Sequence, residues 1–167
     1  ALPSAHTYVD AVGGNNAWAG TNWATAKATI SAALALTDTN GTCHVAAGTY
    51  TEEVALDRAG TTLEGADWET TTVSGSGGNV VFLQANNTTV RNFTLRGGQY
   101  GVRAVQGAVA TNTVVDHCIL RGNTYGYGDQ HSGSVTNGRF TILRSIVTNN
   151  ASHGLYIIGG KDGLLAA

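Results

Sequence analysis

Arg96 and Arg121 occupy the same place in two successive copies of a repeated motif, and Arg144 follows on a third. Guanidinium groups repeated in this way would stand in a column, and the planar fork of N–H donors on each matches a carboxylate through two parallel hydrogen bonds. Residues 70–128 hold four arginines and a single acid, Asp116, so the column suits an acidic polysaccharide. The same arginines also suit a plainer role, as solvated outward positions that discourage edge pairing between sheets. Both readings are open at this point. A second group of chemically capable side chains is Tyr125-Gly126-Tyr127-Gly128-Asp129-Gln130-His131, which brings phenol, carboxylate and imidazole into one short stretch. The histidines show no metal-ligand spacing: His44, His117 and His153 fall in different repeats and read as structural, so no zinc centre is expected. Asp10, Asn15 and Asn16 offer oxygen atoms to calcium without a regular loop pattern. No cofactor is expected, with calcium the one candidate.

These residues are positioned by a repeat. TTVRNFTLRGGQYGVRAV, NTVVDHCILRGNTYGYGD and FTILRSIVTNNASHGLYI align so that Phe93 matches Cys118 and Ser145, and Leu95 matches Leu120 and Val147. Tyr100 then falls with Tyr125 and His153, and Gly101 with Gly126 and Gly154, given one extra residue before His153. Self-similarity at a period of this length marks stacked units, none of which buries its apolar face alone. Within each copy the apolar residues lie two apart with a one-residue slip, which is strand spacing interrupted at a corner. Short parallel strands separated by Gly and Asn bends follow from this pattern. The predicted fold is all-β, a right-handed parallel β-helix with one N-terminal capping α-helix.

The chain of 167 residues suits one domain. Residues 6–41 are read as a first strand, a loop and the capping helix, 42–159 as stacked coils and 160–167 as a tail. The helix is expected from Thr21 or Asn22, with Trp23, Ala26, Ile30, Ala33 and Leu34 on one face. Only 12% of residues are charged and no low-complexity tract occurs, which argues against disorder. No apolar run approaches the ~20 residues that span a bilayer; neither a membrane span nor a nucleic-acid partner is expected. The chain opens on Ala1 without Met, which reads as a mature end after signal-peptide removal or as a trimmed one; the expected location is extracellular.

Cys43 and Cys118 ordinarily suggest a disulfide in a secreted chain. If Val45, Leu63, Val90 and Val114 stack as successive coils, the two cysteines lie three coils apart, roughly 14 Å at ~4.8 Å per strand. A disulfide needs Cα atoms within about 7 Å. Two buried free thiols are expected instead.

The order YVDAVGGNNAWAGTNWATAKATISAAL, HVAAGTYTEEVAL, TTLEGADWETTTVSG and NNTTVRNFTLRGG resembles the N-terminal part of right-handed parallel β-helix proteins of the pectate-lyase-like group. Ala47 departs from that pattern, in which proline is frequent. The resemblance implies the fold, and it is compatible with lyases, epimerases, adhesins and tail spikes alike. It also gives the second group above a role. Tyr125 to His131 is similar to the Tyr-Gly-Phe-Asp-Pro-His segment of mannuronan epimerases, in which Tyr, Asp and His line a catalytic groove; here Gly128 displaces Asp129 by one place and Gln130 replaces proline. A displacement of one residue reverses the face on which a strand side chain points.

Charge divides unevenly. Residues 1–69 hold eight acids against Lys27 and Arg58, a balance of −6, whereas the remainder holds seven basic residues against three acids, +4. After His153 to Gly159 no second helix follows to cover the last coil, so the chain continues in a longer solenoid, folds its last residues over the end, or is covered by another subunit. The third option meets the charge division, since an acidic first end and a basic body are complementary head to tail. The preferred functional expectation is a secreted, non-catalytic structural or cell-surface module that assembles with copies of itself into a filament. The alternative is a carbohydrate-active protein, lyase, epimerase or binder of acidic polysaccharide, using Tyr125, Asp129 and His131 with the Arg96/Arg121 column.

Overall fold

The computed structural model describes residues 4–104, 110–130, 139–158 and 162–166. In chain order the strands are β1 (Ser4–Val9), β2 (Thr37–Val45), β3 (Gly48–Thr51), β4 (Val54–Leu56), β5 (Thr62–Gly65), β6 (Thr71–Ser74), β7 (Asn79–Leu83) and β8 (Thr89–Arg96). They continue with β9 (Tyr100–Ala104), β10 (Thr113–Arg121), β11 (Tyr125–Gln130), β12 (Arg139–Leu143), β13 (Ile146–Thr148), β14 (His153–Ile158) and β15 (Asp162–Ala166). One sheet runs β1-β2-β5-β8-β10-β12-β15 with β3, β6 and β13 alongside; the other runs β14-β11-β9-β7-β4. Pairing within both is parallel, so the chain is an all-β parallel β-solenoid.

The core is a set of rows running across the coils. Cys43, Leu63, Val90, Val115, Ile142 and Leu165 form one continuous row by strand register. Tyr50, Val73, Leu95, Leu120 and Val147 form a second. On the other sheet, Val54, Val81, Val102, Tyr127 and Leu155 make a third. Period-two alternation places every second side chain inward, and stacking in register brings like positions into contact. The expected matches of Leu95 with Leu120 and Val147, and of Tyr100 with Tyr125 and His153, are those of the structure. The Gly101, Gly126 and Gly154 match has a steric cause. A Cβ on Gly101 would lie 2.7 Å from the Gly126 carbonyl oxygen, and one on Gly126 would lie 2.5 Å from that of Gly154.

Corners are turned by residues that tolerate positive φ. Asn40, Asn87 and Asn112 (φ 60, 58 and 54°) bend the chain at the entry to the first sheet, and Asn92, His117 and Arg144 (φ 65, 53 and 43°) bend it midway. Asparagine enters this region more readily than most residues because its short side chain bonds locally. Two asparagines close the far corner: buried Asn123 accepts from Gly98 N–H and donates to the Leu95 carbonyl, and half-buried Asn150 repeats the latter contact one coil on, to Leu120.

Three expectations are corrected. The helix expected from Thr21 or Asn22 and ended by Asp38 to Gly41 is broken, and Thr37–Val45 is strand β2. Asn22 caps only a 3-10 turn at Trp23–Thr25, and a separate α1 (Ile30–Leu34) follows, capped by Thr29. Lys27 lies between them in extended form, bonded to the edge of β1 through Lys27 N–H to Tyr8 and Asp10 N–H to Lys27. Its ammonium donates to the carbonyls of Asn16 and Trp18, while Asn16 accepts from Ala28 and Thr29 N–H. These bonds satisfy the backbone outside a helix, and Trp23 stands exposed. Second, Val90 stacks on Val115, whereas Val114 pairs with Thr89 and Val45 with Gly65. The corner at Asn112, not the adjacent valines, sets which of the two faces inward. Third, residues 162–166, read as part of a tail, form β15 against β12.

Cys43 and Cys118 are free and buried, three coils apart as expected. Burial pushes both thiols up to about 12 from an ordinary value of 9.0, and pushes the Tyr50 phenol up to about 12 from 10.0. The folded state therefore holds these protons more tightly than the unfolded chain. That stabilisation is complete below about pH 9 and is lost as the pH climbs towards 12. An alkaline titration followed by circular dichroism should show cooperative unfolding in this window. Iodoacetamide at about pH 8 should alkylate neither cysteine in the folded protein and both in urea, since the thiolate is the reactive form. Ready labelling of the folded protein would contradict the buried placement.

Candidate functional site

Arg96 ends β8 and Arg121 ends β10, one coil apart on the outer face, each followed by a glycine with positive φ (Gly97, 79°; Gly122, 65°). Backbone bonds from Gly97 N–H to Gly122 and from Gly122 N–H to Asn149 keep the corner in step from coil to coil. The result is a shallow recess of about 320 Å³ lined by Ser74, Arg96, Gly97, Arg121, Gly122 and Asn149. Both guanidinium groups are exposed, and neither has an ion pair among the described residues. Arg144 does not join them. It sits at the midway corner and binds Asp116 through two N–H groups, at 2.9 and 2.5 Å.

Tyr125 and Asp129 lie on one strand but serve different surroundings. Tyr125 is half-buried and stacks with Tyr100 (4.8 Å between ring centroids), His153 (5.9 Å) and Tyr156 (4.8 Å). Asp129 is 1% exposed and stands in register with Ala104 and Leu83, the interior row of the second sheet. His131 lies outside the described residues. Between the two, Tyr127 is buried with its hydroxyl 3.5 Å from Thr113, and its phenol is pushed up by burial first and by the Asp129 charge second.

Of the oxygens considered for calcium, Asp10 Oδ1 accepts from Val12 N–H, Asn15 Oδ1 from Ala17 N–H, and Asn16 Oδ1 from Ala28 and Thr29 N–H. Among the described residues no group of three or more His, Cys, Asp or Glu side chains converges for a metal ion.

Sequence reasoning missed an outward row at the acidic end. Tyr8, His44, Glu64, Arg91 and Asp116 are consecutive by register on β1, β2, β5, β8 and β10. Glu64 binds His44 Nδ1 at 3.1 Å on one side and Arg91 at 2.8 Å on the other, and His44 Nε2 lies 3.1 Å from His6 Nδ1. Trp23 stands edge-on to Tyr8 at 4.9 Å. A recess of about 220 Å³ opens beside this row. Aligning HTYVD above CHVAAG in strand phase would have found the Tyr8–His44 contact; nothing local signals the approach of Trp23.

At β15 the interior rows are exposed among the described residues. Leu165, the last member of the first row, is 58% exposed, and with Ile142, Val147, Leu155 and Ala166 it lines an apolar hollow of about 460 Å³. Leu164, Ile157 and Ile158 are exposed around it. Compared with known proteins, the chain matches no family model, no curated protein and no solved structure.

Proposed function

We propose that the chain is a non-catalytic, extracellular structural module of the right-handed β-helix kind, which assembles head to tail through the apolar hollow around Leu165. The single observation behind this is the contrast between the two ends. At the head, the outer edge of β1 is occupied: Tyr8 donates to Gly20, and Lys27 bonds to both Tyr8 and Asp10. Helix α1 buries Ile30, Ala33 and Leu34 against β1, β2 and β4, which supports a capping role over the first coil. Glu52 binds the N–H groups at its start and Arg58 the carbonyls at its end. At β15, the row that is buried through Ile142 reaches Leu165, which is exposed among the described residues.

Apolar area of this kind is stabilised by burial at roughly 25 cal/mol per Å². Charge supports the head as its cover. The two cations among residues 1–69 are both spent on backbone carbonyls, Lys27 from a buried position, so the surplus acids dominate the surface there. Of the described basic residues of the last coils, Arg144 is paired with Asp116 and Arg139 is exposed at the other end. A contact between unlike surfaces repeats, giving an open filament or a ring according to the rotation per subunit.

Sedimentation velocity tests this. The chain should associate with rising concentration and dissociate with rising salt, and Leu165→Asp should abolish association by placing a charge in the hollow. A monomer at all concentrations and ionic strengths would refute the proposal.

A second reading rests on the Arg96/Arg121 recess, whose paired guanidinium groups fit the carboxylates of an acidic polysaccharide. On that reading oligogalacturonate binds and Arg121→Ala removes the binding, with no turnover by Tyr125 or Asp129.

A further inference from the structure

We propose that the recess beside Trp23 binds one uncharged pyranose ring of a glycan. Trp23, His44, Glu64, Gly65, Ala66 and Asn92 are among the residues that line it. Gly65 is held to glycine by its own packing, because a Cβ there would lie 2.3 Å from the Asn92 carbonyl oxygen and 3.2 Å from the buried Phe93 ring. Trp23 is 53% exposed although it is among the largest apolar side chains present, and its ring is steadied by the edge contact with Tyr8. An indole held in this way at the rim of a polar recess offers a flat apolar face to the C–H face of a sugar ring.

The polar walls set the charge of the ligand. Glu64 is held by His44 and Arg91, so its carboxylate is fixed in place and its charge is locally offset. Hydroxyl groups can still donate to its remaining lone pairs, and with Arg91 already paired to Glu64 no spare guanidinium or ammonium group lines the recess to pair with an incoming carboxylate. Asn92 donates to the Gly65 carbonyl at 3.2 Å, which leaves its own carbonyl oxygen to accept from the ligand. His44 is fixed from both sides, by Glu64 and by His6. These groups are arranged before any ligand arrives, and a ligand that meets them loses little to reorganisation. A sugar ring, with one apolar face and hydroxyls at its rim, has the shape and chemistry that match. The site shares no residue with the hollow at Leu165.

The test is an NMR titration of ¹⁵N-labelled protein with cellohexaose, xylohexaose, mannohexaose and laminarihexaose at millimolar concentration, with oligogalacturonate as the charged comparison. At least one neutral hexasaccharide should produce saturable shifts centred on Gly65, Ala66 and the Trp23 indole N–H. Trp23→Ala and Glu64→Gln should each weaken binding roughly tenfold or more, a change of about 1.4 kcal/mol, while Trp23→Phe should retain most of it. Trp23 is exposed, so its variants are expected to fold, and their unchanged circular dichroism spectra would confirm this. No saturable shift with any neutral sugar, shifts centred elsewhere, binding by oligogalacturonate alone, or full binding by Trp23→Ala would each overturn the proposal.

Discussion

Asn123→Ala should lower the unfolding free energy by about 3 kcal/mol, because it orphans two buried backbone groups at once. The Asn123 side chain is 3% exposed, accepts from Gly98 N–H at 3.0 Å and donates to the Leu95 carbonyl at 3.1 Å. Each buried group left without its bond costs about 1–3 kcal/mol, and the methyl of alanine supplies no replacement. In a chain of this size that corresponds to a fall of roughly 10 °C in Tm, at about 2–4 °C per kcal/mol. The effect should extend along the row, since Asn123 N–H itself donates to the Asn150 side chain, which in turn holds the Leu120 carbonyl. Asn150→Ala should cost less, because Asn150 is only half-buried and water can reach the groups it releases. Urea denaturation of both variants measures the difference. A loss below about 1 kcal/mol for Asn123→Ala would mean that the corner is not closed by this side chain.

Much of the fold is legible because a solenoid makes distant contacts periodic. Leu95, Leu120 and Val147 are far apart in the chain, yet their common place in the repeat announces that they share a row. The free cysteines follow from the same counting, since a spacing in coils converts directly into a distance. What escapes is what the repeat does not govern. Adjacent valines at 114 and 115 look alike, and only the left-handed turn at Asn112 decides which points inward. The helical pattern from Trp23 to Leu34 has proper amphipathic spacing, but the edge of β1 competes for Lys27, and two carbonyls take up its ammonium. Helical propensity over so short a segment is too weak to resist that.

The candidate sites divide on the same line. Arg96 and Arg121 come together because both occupy one repeat position, and Arg144, one corner away, is taken by Asp116. Tyr125 joins an outer aromatic stack while Asp129 takes an interior position in place of the aliphatic residues below it. The Trp23 recess depends on a loop folding back over the first coils, a contact with no period.

The strongest expected effect on behaviour in solution concerns the polarity of assembly. A head-to-tail contact uses two different surfaces, so a subunit damaged at one end keeps the other intact. Leu165→Asp spoils the tail only. A head variant is supplied by Val12→Arg with Ala35→Arg, both exposed positions near the first coil, which replace an apolar and a small side chain by cations that face the basic tail. Each variant alone should be monomeric at concentrations where the parent chain associates. Mixed in equal amounts, they should form one-to-one dimers, because one sound head meets one sound tail and the chain of contacts stops there.

Sedimentation velocity of the two variants, separately and mixed, is therefore the most direct measurement of the central proposal, that the apolar hollow around Leu165 receives the head of another copy. The account predicts monomers apart and dimers together. Association of the head variant by itself would show a contact between like ends, and monomers in the mixture would show that Leu165 and its neighbours do not meet the head at all.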